Sequence, residues 1–461
     1  MRFHGTFAPL YLLPVLIALT GCGSSNTNSS PTLTTPTPKS VNQWTWVSGS
    51  NTTNATGVYG TLGVGAASNV PGSRESVVSW TDSSGNLWLF GGGSIIGGMN
   101  MNDLWEFNPS SNEWTWISGS NTIGALGVYG TQGVPSSANV PAARMSAVSW
   151  IDGSDNLWLF GGNGDFAAMN DLWEFNPSTK EWTWVSGSNS PSASGVYGIL
   201  GVAAAGNIPG ARSSAVSWID SRGYLWLFGG NGGFGDMNDL WEFNPSTKEW
   251  TWVKGSNTAG ASGVYGTLGV AAPGNVPGAR GSAVSWTDSS GNLWLFGGYS
   301  NESQDDLNDL WEFNVATKEW TWVSGSNTPF APGVYGAIGV AAAGNVPSAR
   351  DSAISWTDSS GNLWLFGGYE DDSSEMWGFL NDLWEFSPAT KEWTWVSGSQ
   401  ASDACGAYGT LGVAASGNVP GARGAAVSWI DSSGDLWLFG GGSQYSMYPP
   451  NEHNDLWKYQ P

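Results

Sequence analysis

Gly-Gly pairs recur along this chain at Gly91, Gly161, Gly229, Gly297, Gly367 and Gly440, at spacings of 70, 68, 68, 70 and 73 residues. A long fixed period outranks any local motif as a constraint on the fold. Each unit can bury its apolar surface only against a neighbouring copy of itself. The anchor of the unit is NDLWEFNPSTKEWTWVSGS at 170–188, which returns at Asn102, Asn238, Asn308 and Asn381 and, cut short, at Asn454. Four short runs per unit have strand chemistry; in the third unit they are 214–218, 225–230, 239–243 and 249–253. Trp241 and Phe243 alternate with Leu240 and Glu242, the period of a strand. Asp288 to Asn292 and Asn244 to Thr247 have turn composition. No stretch shows a helical period.

The ends of the array decide how it closes. It opens at Trp44-Thr45-Trp46, a fourth strand with no third before it, and it ends at 454–459, a third strand with no fourth after it. Together these fragments complete one unit. The N-terminal strand is therefore expected beside the C-terminal one, sealing a ring.

A Gly-Gly after an apolar strand, an aromatic in the third strand and a Trp in the fourth recur six times. Residues 43–460 thereby resemble the kelch repeat. The resemblance implies an all-β fold, a six-bladed kelch-type β-propeller. Each blade would have four antiparallel strands, the last closed by the N-terminal strand, leaving only short, protected edges. The unit is longer than the usual kelch repeat of about 50 residues. The excess lies in the connection from the fourth strand to the next unit's first, as in 187–211.

Charged residues make up only 11% of the chain and Trp numbers 31, the opposite of a disordered composition. Five Trp positions recur per unit, in the third Trp218, Trp226, Trp241, Trp250 and Trp252, and are expected to form the core between blades. Trp377 alone falls outside the pattern. The formal net charge of −22 excludes nucleic acid, whose binders need a basic face, and electrostatic docking on anionic lipid.

Residues 1–22 read as a processed leader. Arg2 supplies a positive start, 7–19 is mostly apolar, and Leu19-Thr20-Gly21-Cys22 follows. This resembles the lipobox of bacterial lipoproteins, which implies lipidation of the Cys22 thiol. The apolar run is short for a membrane span and contains Pro9 and Pro14. Cys22 is thus better explained by lipid than by pairing with Cys405, and no disulfide framework is expected. Residues 23–41 form a flexible Ser/Thr/Pro-rich tether, and 42–461 the propeller. The expected place is the bacterial cell envelope: lipid-anchored, on the outer membrane as Gly23 suggests, periplasmic or surface-exposed, and monomeric.

The kelch family includes galactose oxidase, whose copper site needs two His, Tyr ligands and a Tyr-Cys cross-link. Outside the leader this chain has one His, His453, so that chemistry is excluded, and His453 is read as a loop residue. Arg74, Arg144, Arg212, Arg280, Arg350 and Arg423 recur with the acids Asp103, Asp171, Asp239, Asp309, Asp382 and Asp455. Six identical copies suit blade-to-blade struts better than a ligand. The periodic tyrosines Tyr59, Tyr129, Tyr197, Tyr265, Tyr335 and Tyr408 are likewise assigned to packing.

What repeats is scaffold; what deviates is candidate function. Deviation concentrates in the loop after the Gly-Gly. The fourth unit has Tyr299, Glu302, Asp305 and Asp306 there. The fifth has Tyr369, Glu370, Asp371, Asp372, Glu375 and Trp377, and the sixth Tyr445 and Tyr448. These loops should line one sector of one end of the ring. Carboxylates so gathered suit Ca²⁺, although no cofactor is required. Tyr and Trp beside carboxylates suit a sugar. The expected function is a non-catalytic, envelope-anchored binding protein for a glycan or protein. The alternatives are a carbohydrate-active enzyme using a carboxylate pair and a purely structural propeller.

Overall fold

The computed structural model describes residues 42–94, 98–233, 235–300, 305–371, 377–443 and 451–461, the side chain of Trp377 excepted. Every regular element among them is a β-strand. They form six four-stranded antiparallel sheets and three short two-stranded ribbons. The innermost strands are Val78–Thr81, Val148–Ile151, Val216–Ile219, Val284–Thr287, Ile354–Thr357 and Val427–Ile430. They number the blades one to six. Blade four, for example, continues through Leu293–Ser300 and Asp305–Asn314 to the outer strand Glu319–Ser324.

The expected closure holds. Gln43–Ser48 is the outer strand of blade six and pairs with Leu456–Gln460, Trp44 opposite Tyr459 and Trp46 opposite Trp457. Two hydrogen-bond circuits run through all six innermost segments. In one, Ser149 Oγ donates to the Ser79 carbonyl at 3.0 Å, and so on round to Ser79 Oγ on the Ser428 carbonyl at 3.2 Å. In the other, the amides of Ser76, Ser146, Ser214, Ser282, Ser352 and Ala425 each donate at 2.8 Å to the preceding member's carbonyl, Ser76 closing onto Ala425. All six have φ between 51° and 57°. That left-handed backbone costs energy for residues other than Gly and is held here by the circuit.

The core lies between blades. The seam between blades three and four packs Val216, Trp218, Trp226 and Phe228 against Leu293, Leu295, Trp311, Phe313 and Trp320. Five equivalent clusters make the other seams. Four of the five periodic Trp per blade are buried. A buried Trp removes about 200 Å² from water, worth about 5 kcal/mol before entropy is charged. The fifth, the second Trp of the outer strand, is half-buried under the periodic Tyr of the long connection, as Trp322 is under Tyr265 at 5.1 Å. The rest of that connection lies along the outer strand. Ala272 bridges Trp320, and Asn275 Nδ2 donates to the Trp320 carbonyl at 3.0 Å. The extra length of the unit thus covers the exposed edge of each blade, where unpaired backbone would otherwise invite association.

The Gly-Gly pair also has a physical reason. In blade four Gly297 and Gly298 have φ of 65° and 95°. A Cβ on Gly297 would meet the Arg350 carbonyl at 2.7 Å, and the amide of Gly298 donates to that carbonyl at 2.9 Å. Only a residue without a side chain lets the next blade's backbone come this close.

Candidate functional site

The periodic charges form closed clasps. Arg350 donates from Nη1 to Asp382 Oδ1 at 2.7 Å and from Nη2 to Oδ2 at 2.9 Å. Tyr335 Oη and Trp384 Nε1 add donors to Oδ2 at 2.8 and 2.7 Å. Arg350 Nη1 also binds the Gly367 carbonyl. The same clasp stands in the other five blades, the arginines at most 2% exposed and the aspartates 0%. A buried guanidinium fork needs this planar, bidentate partner. Each tyrosine pKa is pushed up, by burial first and by the neighbouring aspartate second. The struts therefore lie within each blade. Contact between blades runs instead through the arginine carbonyl on the preceding blade's second Gly.

The deviant residues sit elsewhere. Where the sequence predicts loops in blades four and five, the structure extends the strands. The middle strands run Leu293–Ser300 with Asp305–Asn314 and Leu363–Asp371 with Trp377–Ser387, against four and five residues in blade three. Tyr299, Asp305, Asp306, Tyr369, Glu370 and Asp371 thus lie on strand ends, Tyr299 opposite Asp306 and Tyr369 opposite Phe379. Polar and aromatic side chains carry the ladder past the Gly-Gly bulge; the Gly-rich blade-three segment does not. Glu302, Asp372, Glu375, Tyr445 and Tyr448 lie outside the described residues, as do Cys22 and the side chain of Trp377.

The structure joins the fourth- and fifth-blade groups across one seam. The amide of Asp371 donates to Asp306 Oδ2 at 2.9 Å. Asp306 is 1% exposed, and among the described residues its Oδ1 has no hydrogen-bond partner. Burial pushes the Asp306 carboxyl up to about 9, with the Asp351 charge as the next cause and Asp371 and Glu370 adding to it. Asp351, whose backbone pairs with Tyr369, is itself raised to about 6 by burial. Glu370 Oε2 accepts from Ser348 Oγ at 2.8 Å, and Ser348 Oγ accepts from Arg350 Nη2. Tyr369 packs edge-on against Phe379 at 5.3 Å, its hydroxyl pushed up to about 12 by burial and then by Asp371 and Asp306.

Two members of this seam, Ser348 and Asp351, lie outside the Gly-Gly loops, and Phe379 lies within the blade-five loop as an apolar residue among its acids. The signal was available. The residue after each periodic Arg is Glu75, Met145, Ser213, Gly281, Asp351 and Gly424 in turn, so this position deviates as well. His453 is not an open loop residue. It is 8% exposed, its Nε2 shares a hydrogen bond with Ser443 Oγ at 2.9 Å, and burial pushes its pKa down to about 3. Among the described residues no three His, Cys, Asp or Glu side chains are placed to hold a metal ion. A separate axial cavity of about 410 Å³ is lined by the inner Ser and Trp positions and carries no titratable side chain. No helix of the described residues is long and apolar enough to cross a membrane.

Comparison with known proteins adds to this. The family described as KLHDC2/KLHL20/DRC7 Kelch-repeats domain matches at residues 129–269, 199–339 and 267–461. Kelch domain-containing protein 3 of Mus musculus is 24% identical over 255 residues, 52% of this chain and 50% of that protein. Leucine-zipper-like transcriptional regulator 1 of Homo sapiens is 28% identical over 200 residues, 42% of this chain and 19% of that protein. The chain therefore spans half or less of the length of these relatives.

Proposed function

Because the chain belongs to the kelch-repeat domain family, with a match covering residues 129–461, we propose that it is a non-catalytic binding propeller. In this reading it is held at the bacterial cell envelope by a lipid on Cys22, and it takes a protein partner at the seam of blades four and five. One observation carries the binding surface. The residues that break the sixfold pattern, Tyr299, Asp305, Asp306, Tyr369, Glu370 and Asp371, come from separate repeats, and the Asp371 amide on Asp306 ties the two groups together. A protein is favoured over a glycan because Tyr369 turns its ring against Phe379 instead of offering a flat face for a sugar. A carboxylate-driven hydrolase would need one acid and one base at a defined separation, whereas here burial and the charges of Asp351, Asp371 and Glu370 all act to keep the proton on Asp306.

The test places a photo-crosslinking residue at Glu370 and, separately, at Ser83 in a turn between the first two strands of blade one. A discrete protein adduct at Glu370 and none at Ser83 supports the reading. Equal labelling at both sites, or release of a cleaved glycan by the unmodified protein, overturns it. The anchor is tested apart: labelled fatty acid should enter the chain and be lost in Cys22→Ala. A Cys22 found oxidised to Cys405 instead would remove the anchor.

A further inference from the structure

The seam between blades four and five gathers Asp305, Asp306, Asp351, Glu370 and Asp371. Among the described residues no Lys, Arg or His forms an ion pair with Asp305, Asp306 or Asp351. Arg280 and Arg350 are committed bidentately to Asp309 and Asp382. Asp306 stands out within the group. Its Oδ2 has a donor in the Asp371 amide, but its Oδ1 is buried with none among the described residues. A buried carboxylate oxygen without a donor is an unstable arrangement, and it is relieved in two ways. The oxygen can take a proton and become a donor itself, or a cation can come to the seam.

The same position in the other blades is Asn100, Ala168, Asp236, Phe379 and Glu452. At the seam of blades one and two, Asn100 solves the problem with an amide, donating from Nδ2 to the Asn163 carbonyl at 3.1 Å. At the seam of blades three and four, Asp236 Oδ1 accepts from Asn231 Nδ2 at 3.2 Å. Asp306 is left with no such donor on Oδ1, and it faces a further carboxylate, Asp351, across the seam.

We propose that this crevice, floored by Asp306 and walled by Asp351, Asp371 and Glu370, receives a lysine or arginine side chain of the protein partner, and that Asp306 gives up a proton to solvent as the cation arrives. The inference rests on the partner-binding reading and names the chemistry of its contact. Asp351, Asp371 and Glu370 are partly exposed and meet the cation; Asp306 lies beneath them. A cation over the crevice offsets the repulsion that keeps the Asp306 proton in place. The O–H bond of Asp306 then breaks, its electron pair stays on Oδ1, and the proton leaves to water. Binding and proton release are therefore linked. The other groups facing Asp306, which are Asp305, Tyr299 and Tyr369, are anionic or neutral, so none of them supplies the charge instead.

The experiment uses the full chain and fluorescent octapeptides that differ at a single position, Lys, Arg or norleucine. Binding is read by polarisation at pH 7.5 and pH 8.5. The Lys and Arg peptides should bind about fivefold tighter or more than the norleucine peptide, as expected for a charge meeting a complementary patch. Their affinity should rise about tenfold between the two pH values, since one proton is released. Asp306→Asn should keep the charge preference and lose the pH dependence. Asp351→Asn should lose the preference while thermal melting shows both variants folded. Equal binding of the norleucine peptide overturns the proposal. So does millimolar calcium that displaces the peptides and raises the melting temperature, because the crevice would then be a metal site. If the Glu370 adduct persists while the peptides fail to discriminate, partner binding stands and the cation crevice falls. If the peptides discriminate and no adduct forms, the reverse holds.

Discussion

Arg350 with Asp382 and Asp306 with Asp351 lie within neighbouring segments of the same molecule and treat buried charge in opposite ways. The first pair is closed: two parallel hydrogen bonds, a Tyr and a Trp donor on the same carboxylate, and five identical copies round the ring. Among the described residues the second has two acids, a single backbone donor on Asp306 Oδ2 and no donor on Oδ1; of its counterpart positions round the ring, Glu452 with Glu75 at the seam of blades six and one is again a pair of acids. Burial alone therefore does not separate scaffold from site, because both pairs contain a fully buried acid. Completeness of the partner set does. The clasp spends its charge inside the protein; the seam holds charge back for something outside it.

The comparison is broken most severely by opening a clasp. Arg350→Met leaves Asp382 buried with its counter-ion gone, which should cost about 3–5 kcal/mol of stability. Urea unfolding followed by Trp fluorescence checks it, and Arg423→Met should cost a similar amount because the clasps are equivalent. A loss below about 1 kcal/mol in both would mean that the clasp behaves as a surface pair, and the contrast with the seam would disappear.

The seam should respond the other way. The Asp306 carboxyl is raised to about 9, far above its ordinary value. Between its unfolded value and about 9 the native state holds a proton that the unfolded state has lost. Stability contributed by that proton is full in acid and declines as pH rises through this window. Asp306→Asn carries its own donor and cannot ionise. It should raise stability by about 1–3 kcal/mol on the alkaline side and flatten the profile between pH 5 and pH 9. Unchanged pH dependence in the variant would place the Asp306 proton elsewhere and remove the basis of the proton-linked crevice.

How legible these two regions were in the sequence follows from what each depends on. The ring was legible because a repeated unit states its contacts six times. Gly297 and Gly298, Trp311 and Asp309 each appear with five counterparts in fixed register, and the broken ends at Trp44 and Tyr459 could pair only with each other. The pairing of Arg350 with Asp382 was legible for the same reason, although its direction was not: side chains 32 residues apart close within a blade, and only the backbone crosses the seam. The site was half legible. Asp306 and Asp371 stood out as deviations, but Asp351 lies 45 residues from Asp306 and joins it only because blade five swings beside blade four. No spacing in one chain encodes which deviant position of one blade faces which of the next. The strand extension in blades four and five was hidden because acidic residues have low strand propensity, and alternate pairing with Tyr299 and Tyr369 overrides it.

His453 gives the finest distinction between a paired and an unpaired buried group. It occupies the position held by Met101, Met169, Met237, Leu307 and Leu380 in the other blades. Its Nε2 meets Ser443, but its Nδ1 is buried without a partner among the described residues. Burial, and then the Arg423 charge, push its pKa down to about 3, with Asp455 opposing. The native state therefore refuses a proton that the unfolded chain accepts between the ordinary imidazole range and about 3. Stability tied to His453 is present above that range and is lost as pH falls through it. His453→Met restores the side chain of blades one to three and removes both the unpaired nitrogen and the titration. It should stabilise by about 1 kcal/mol at neutral pH and by more at pH 5, read as parallel melting curves of variant and parent. A variant that gains nothing at neutral pH and tracks its parent into acid would show that Nδ1 is satisfied in solution. In that case a buried nitrogen lacking a partner would not mark an open site in this ring, and Asp306 would have to be judged by ligand binding alone.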